Sequence, residues 1–211
     1  MLRRLALLAC TSALCVAQPS AAVPAPPAAN PPIVMPPAAA PPAAAAQASP
    51  AAPAGCLAGG NGYLKARIRG ALNLDINWRN AEIECDGGPR PDGSGIRLAF
   101  RGPKRADGHR LRLVFGVSTA REARSGRSLP TNLTVIVEGA QRLYTTRGED
   151  HCTVDTLSQQ RLRTGEAPRS YRVVARGFCV APASTLNDAE RILVESFDFA
   201  GNAVFGDDAV R

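Results

Sequence analysis

Apolar side chains recur at every second position from Leu64 onward. Leu64, Ala66, Ile68, Leu72, Leu74, Ile76 and Trp78 are separated by Lys65, Arg67, Arg69, Asn73, Asp75 and Asn77. Successive side chains of a strand point to opposite faces, so this alternation predicts strands with one buried and one solvated face. The run is too long for one ordinary strand, and Gly70 is its natural break. A three-residue loop, Arg69 to Ala71, sets Ile68 opposite Leu72 and keeps the apolar set on one face. A two-residue loop at Gly70-Ala71 would set Ile68 opposite Asn73 and lose it.

The same period returns along the chain. Ala81, Ile83 and Cys85 alternate with Glu82, Glu84 and Asp86; Ile96, Leu98 and Phe100 alternate with Arg97, Ala99 and Arg101; Leu111, Leu113 and Phe115 follow. Leu133 to Val137, Tyr171 to Val180 and Arg191 to Phe199 are rich in β-branched and aromatic residues. Turn chemistry separates these runs at Asp86-Gly87-Gly88, Pro91-Asp92-Gly93, Ala106-Asp107-Gly108 and Thr164-Gly165, with Gly201-Asn202 as a further place to turn. Helical periodicity is scarce. Ser118 to Ser128 and Pro182 to Glu190 have room for a turn or two each. The expected architecture is all-β: an antiparallel β-sandwich or jelly-roll-like barrel of about nine or ten strands.

The N-terminal quarter is different. Arg3 and Arg4 precede a 12-residue apolar run, Leu5 to Val16, and small residues follow. That run is too short to span a bilayer but suits a secretory signal, so residues 1–22 are expected to be a signal peptide cleaved after Ala17 or Ala22. Leu7-Leu8-Ala9-Cys10 offers a lipoprotein alternative with an anchor at Cys10, although only a short apolar stretch precedes it. Residues 18–55 hold 16 Ala and 12 Pro and no charge. Proline at this density disfavours helix and sheet ladders, and few side chains here have apolar area to bury. Residues 23–55 are therefore expected to be a disordered, semi-rigid tether, with a reach of roughly 100 Å at about 3.1 Å per residue. The single folded domain is expected at 56–211, with no transmembrane helix in the mature chain.

Signal cleavage removes Cys10 and Cys15 and leaves Cys56, Cys85, Cys152 and Cys179. An even set in an exported chain predicts disulfides. Of the three connectivities, Cys56–Cys85 and Cys152–Cys179 enclose loops of similar length and are favoured. No C-x-x-C or paired-histidine spacing suggests zinc.

The chain carries 25 basic and 18 acidic side chains, and its basic groups are arginines apart from Lys65 and Lys104. The excess is concentrated in the first half of the domain, where Arg97, Arg101, Lys104, Arg105, Arg110 and Arg112 crowd two adjacent strands. If those strands pair through Gly102 to His109, the polar faces join into a basic stripe able to concentrate anions. The guanidinium fork suits carboxylate or phosphate. The candidate partners are an anionic envelope polymer, a lipid head group or an acidic protein. Aromatic residues are too few for the stacking platforms of specific nucleic-acid binding.

Catalytic motifs are lacking. No G-x-S-x-G elbow, H-E-x-x-H or G-x-x-x-x-G-K-[ST] loop is present. His109 follows a turn. Glu149-Asp150-His151-Cys152 holds acid/base or metal-ligating types, but reads more simply as a polar loop running into a disulfide. Asp86 to Asp92 and Asp207-Asp208 are acidic loops without EF-hand spacing. No catalytic residue, metal or cofactor is expected. Three functions remain: an exported, periplasmic or secreted, non-enzymatic envelope-associated binding module; a protein inhibitor that presents one disulfide-pinned loop to an enzyme; and an enzyme whose site follows no recognisable motif.

Overall fold

The computed structural model describes residues 55–162 and 168–206, which belong to one compact unit. The expected signal peptide, nearly all of the tether, Thr164-Gly165 and Asp207-Asp208 lie outside the described residues. The strands are β1 (Tyr63–Gly70), β2 (Leu74–Arg79), β3 (Glu84–Pro89), β4 (Gly95–Lys104), β5 (Arg110–Ser118) and β6 (Gly126–Glu138). They continue with β7 (Arg142–Thr145), β8 (Cys152–Arg161), β9 (Arg169–Cys179), β10 (Ala183–Ser184) and β11 (Arg191–Phe205). All pair antiparallel in one sheet, and among the described residues the only helical element is a 3-10 turn, Asn80–Glu82. The two segments with room for a helical turn form none. The expected antiparallel β architecture is correct; the count of eleven exceeds the expected nine or ten because of the very short β7 and β10.

Two long strands fold this sheet over itself into a sandwich-like arrangement. β11 pairs with β1 along one edge and with β9 along the other. β6 pairs with β5 on one edge, while its other edge divides between β8 and β7. The inward side chains meet in one core, where the Phe115 ring lies 4.8 Å from Phe199 and 4.9 Å from Phe197, and Phe100 lies 5.0 Å from Phe199. Offset aromatic pairs of this kind add to the large area each ring buries.

The period-two pattern assigns the faces correctly. Leu64, Ala66 and Ile68 are buried, and Lys65 and Arg67 are exposed. The first turn is wider than the expected three residues: Ile68 pairs with Leu74, Ala66 with Ile76 and Leu64 with Trp78. Leu72 drops into the core, and the Gly70 amide donates to Asn73 Oδ1 at 3.3 Å. The register moves by two residues, so face parity survives.

Two glycine-bearing segments expected at turns lie within strands. Gly87 and Gly88 belong to β3, where an added Cβ would meet the Asn202 carbonyl at 2.6 Å and the Val204 carbonyl at 2.7 Å. The missing side chains let β3 approach the β11 backbone. Gly201 sits inside a continuous β11, with the Phe100 ring 2.6 Å from where its Cβ would be. Pro91-Asp92-Gly93 and Ala106-Asp107-Gly108 do turn the chain, with Gly93 and Gly108 at φ 69° and 83°.

Both favoured disulfides form. Cys56–Cys85 fastens the start of the domain to β3, and Cys152–Cys179 links directly opposed residues of β8 and β9. Buried Asn80 completes the first anchor. Its Oδ1 accepts the amides of Leu57 at 2.8 Å and Gly62 at 2.9 Å.

Candidate functional site

The outer faces of two strand groups carry charge in different ways. On the first, β4 and β5 pair as expected and place Arg101 opposite Arg112 and Lys104 opposite Arg110. Like charges directly opposed across a ladder repel. The flanking strands answer that repulsion with carboxylates. Glu84 on β3 accepts from Arg101 at 3.2 Å and Arg110 at 3.1 Å, and Asp86 accepts from Arg97 at 3.2 Å and Arg112 at 3.0 Å. Glu138 on β6 accepts from Arg101 Nε at 2.7 Å, and Arg105 pairs with Asp107 at 3.3 Å. Hydrogen bonds from Arg101 hold the Glu84 carboxyl below its usual range. Among the described residues, Lys104 alone of the six candidate anion-binding side chains has no ion pair. The stripe is an ion-paired ladder of six cations and four carboxylates. Its acids were visible in sequence: Glu84 and Asp86 share the polar parity of the strand that precedes β4.

The second face lies across β6, β8, β9, β11, β1 and β2. Here the register sets one continuous row of opposed residues: Arg127, Thr156, Arg176, Asp198, Lys65 and Asn77. Arg127, Arg176, Lys65 and Asn77 are exposed and Thr156 and Asp198 half-buried, so the row is accessible along its length. Two open cavities lie along it, of about 560 and 400 Å³, and both are lined by Arg176 and Asp198. They form one groove. Register shifts interrupt the ladders beside it, at Val154/Thr156 on β8 and at Arg67/Ile68 on β1. Bulges bend a strand and re-aim its side chains.

Arg67 and Asp75, which line the second cavity, pair at 3.7 Å, but the three cations of the row itself are not consumed in ion pairs among the described residues. Arg127 and Arg176 have no ion pair among the described residues, and Lys65 lies over the Tyr63 ring at 5.7 Å. Tyr63 donates its hydroxyl to Asp198 Oδ1 at 2.8 Å. Burial, and then that bond to a carboxylate, push the Tyr63 phenol up to about 12. The phenol is therefore a fixed donor at neutral pH and orients the Asp198 carboxylate. Sequence reading passed over the groove because its cations are far apart in the chain: residues 65, 127 and 176 come from three different strands. Parity marks Lys65 and Arg176 as outward positions of alternating runs, but Arg127 shares the parity of buried Thr131, Leu133 and Val135 and is not marked by it.

The remaining candidates are dispersed. Glu149 bonds Arg90 at 2.5 Å, Asp150 is exposed with a carboxylate oxygen 3.8 Å from His151 Nε2, and Cys152 is in its disulfide. His151 Nδ1 is buried without a protein hydrogen-bond partner. His109 Nδ1 lies 3.2 Å from the Glu138 carbonyl. Asp92 accepts from Ser94, while Asp86 is held in the ladder. No group of three metal-ligating side chains occurs among the described residues. Compared with known protein families, curated proteins and solved structures, the chain matches none.

Proposed function

We propose that this protein is an exported, non-enzymatic, envelope-associated binding module and that the Arg127–Arg176–Lys65 groove is its ligand face for an anionic partner. The supporting observation is the row of cations left without ion pairs over two joined cavities. Such groups attract an anion by field and have no ion pair that must break first. Two disulfides fit an oxidising compartment, and no helix of the described residues is long and apolar enough to cross a membrane. Export places the groove in the periplasm or outside the cell, among anionic envelope polymers, lipid head groups and acidic proteins.

A basic protein adheres weakly to any polyanion, so the test must separate face from net charge. Arg176→Ala with Lys65→Ala and Arg110→Ala with Arg112→Ala each remove two positive charges. Retention on immobilised anionic polymers along a salt gradient is expected to fall for the groove pair and to stay near wild type for the ladder pair. Equal losses would reduce the effect to net charge; a larger loss in the ladder pair would move the binding face to β4 and β5.

One observation favours a second reading, an enzyme inhibitor. Leu186 is 82% exposed on the loop after β10. That loop is braced by Ser184 Oγ to Asp188 Oδ1 at 2.7 Å, Thr185 Oγ1 to Asn187 Oδ1 at 2.8 Å and Arg147 to Asp188 at 2.7 Å. A stiff loop presenting one apolar side chain suits insertion into a partner's pocket. A salt-resistant, stoichiometric complex with an enzyme, lost on Leu186→Asp, is the outcome that reading requires.

A further inference from the structure

We infer that the groove ligand is an anionic polysaccharide carrying one acidic group per disaccharide, lying across the strands rather than along them. This rests on the groove being the anion-binding face. The row alternates in function: Arg127, then Thr156; Arg176, then Asp198; Lys65, then Asn77. A cation stands on every second strand, with a hydrogen-bonding side chain between. Neighbouring strands are about 4.8 Å apart, so successive cations are spaced by roughly 10 Å and the row extends over roughly 24 Å. A complementary chain therefore alternates an anionic group with hydroxyl-bearing groups.

Asp198 makes the choice sharper. It lies between Arg176 on β9 and Lys65 on β1, held by the Tyr63 hydroxyl. A chain charged at every unit, such as a polyphosphate or a nucleic acid, would set an anion against this carboxylate and be repelled. A sugar hydroxyl donates to it instead. An extended acidic peptide fails on spacing, because its same-face side chains recur every two residues, at about 6.7 Å. Tyr63 supplies the groove with one ring, so recognition by charge and hydroxyl spacing does not need a row of aromatics.

The test is direct titration of the purified protein, at low and at physiological salt, with three probes: hyaluronate oligosaccharides (one carboxylate per disaccharide), polygalacturonate oligosaccharides (one per monosaccharide) and polyphosphate. Hyaluronate is expected to bind tightest. Arg176→Ala with Lys65→Ala should weaken it about tenfold or more, as loss of paired charges does at binding faces. Asp198→Asn, which retains shape, should narrow the preference over polyphosphate. Circular dichroism and melting confirm that each variant is folded. Equal or tighter binding of polyphosphate or polygalacturonate through the same groove residues would overturn the disaccharide assignment and leave the anion-binding face standing. No binding of any probe, or binding indifferent to Arg176 and Lys65, would overturn both.

Discussion

The β3–β4–β5–β6 face and the β6–β8–β9–β11–β1 groove start from similar material, basic side chains exposed along paired strands. They differ in what lies on the neighbouring strand. In the first, Glu84, Asp86 and Glu138 take up Arg97, Arg101, Arg110 and Arg112. In the second, one carboxylate, Asp198, stands between Arg176 and Lys65 and is engaged by the Tyr63 hydroxyl without an ion pair to either, and the other neighbours of Arg127 and Lys65 are Thr156 and Asn77. A dense basic segment in sequence therefore marks ladder chemistry, while the exposed, unneutralised cations are assembled from distant strands. Counting charge locates the first; only register locates the second.

The largest perturbation should abolish the comparison by removing the support of both faces. Phe115 is fully buried and touches Phe100, Phe197 and Phe199, joining β4 and β5 to β11 beneath the groove. Phe115→Ala is expected to cost about 3–5 kcal/mol, with a fall of roughly 10 °C or more in Tm. Thermal melting checks this, and a loss under about 1 kcal/mol would mean the two faces of the folded sheet are held together elsewhere.

The next effect should fall on one side. Cys152–Cys179 ties β8 to β9 within the grooved face, and Cys56–Cys85 ties the start of the domain to the ladder strand β3. Replacing Cys152 and Cys179 together by Ala should cost about 3–4 kcal/mol by the loop-entropy argument. Amide exchange should rise first in β8 and β9 and leave β4 and β5 protected. Uniform exchange across both faces would show that the molecule opens only as a whole.

The pH dependence separates the faces by sign. Tyr63, in the groove, is raised to about 12, and burial also raises Tyr144 and Tyr171. A group with a raised folded pKa contributes stability that is complete below its unfolded value, about 10, and is lost as pH climbs through the folded one. Alkali between about pH 10 and 12 should therefore destabilise the fold. Absorbance titration should show tyrosinate forming above the ordinary range, and Tyr63→Phe should shallow that alkaline slope. Tyrosinate appearing fully near pH 10 would contradict the buried, Asp198-bonded phenol.

Much of this fold is legible in the residues. Leu64 to Trp78 shows its parity plainly because one face is dry and the other wet, and two cysteine pairs of similar spacing close as expected. The glycines of β3 and β11 mislead for a physical reason. Absence of a side chain has two uses, turning the backbone and admitting a neighbour, and the residue alone does not say which. Gly87, Gly88 and Gly201 serve the second. The width of the first turn depends on Leu72 finding room in the core, a property of packing. The groove was the least legible feature, since it exists only once six strands are in register.

The smallest expected effect concerns the ladder, and it runs opposite to Tyr63. Hydrogen bonds from Arg101 and then Arg110 lower the Glu84 carboxyl. Its contribution is present above the unfolded value, about 4.3, and is lost as pH falls toward the folded one. The side chain is 65% exposed, so solvent and salt screen the pair heavily. Glu84→Gln should therefore cost only about 0.2–1 kcal/mol at neutral pH, less at high salt. Below the carboxylate range the variant and wild type should converge. Glu122, Glu149, Asp92 and Asp188 are lowered as well, so the acid slope is shared and Glu84→Gln removes only a part of it. The informative quantity is a double-mutant cycle with Arg101→Ala. A coupling that vanishes with salt makes the ladder a screened surface device, whose work is to cancel the repulsion between Arg101 and Arg112. A coupling that survives high salt would mean the ladder is desolvated and structural. In that case its arginines would be still less free to meet a ligand than those of the groove.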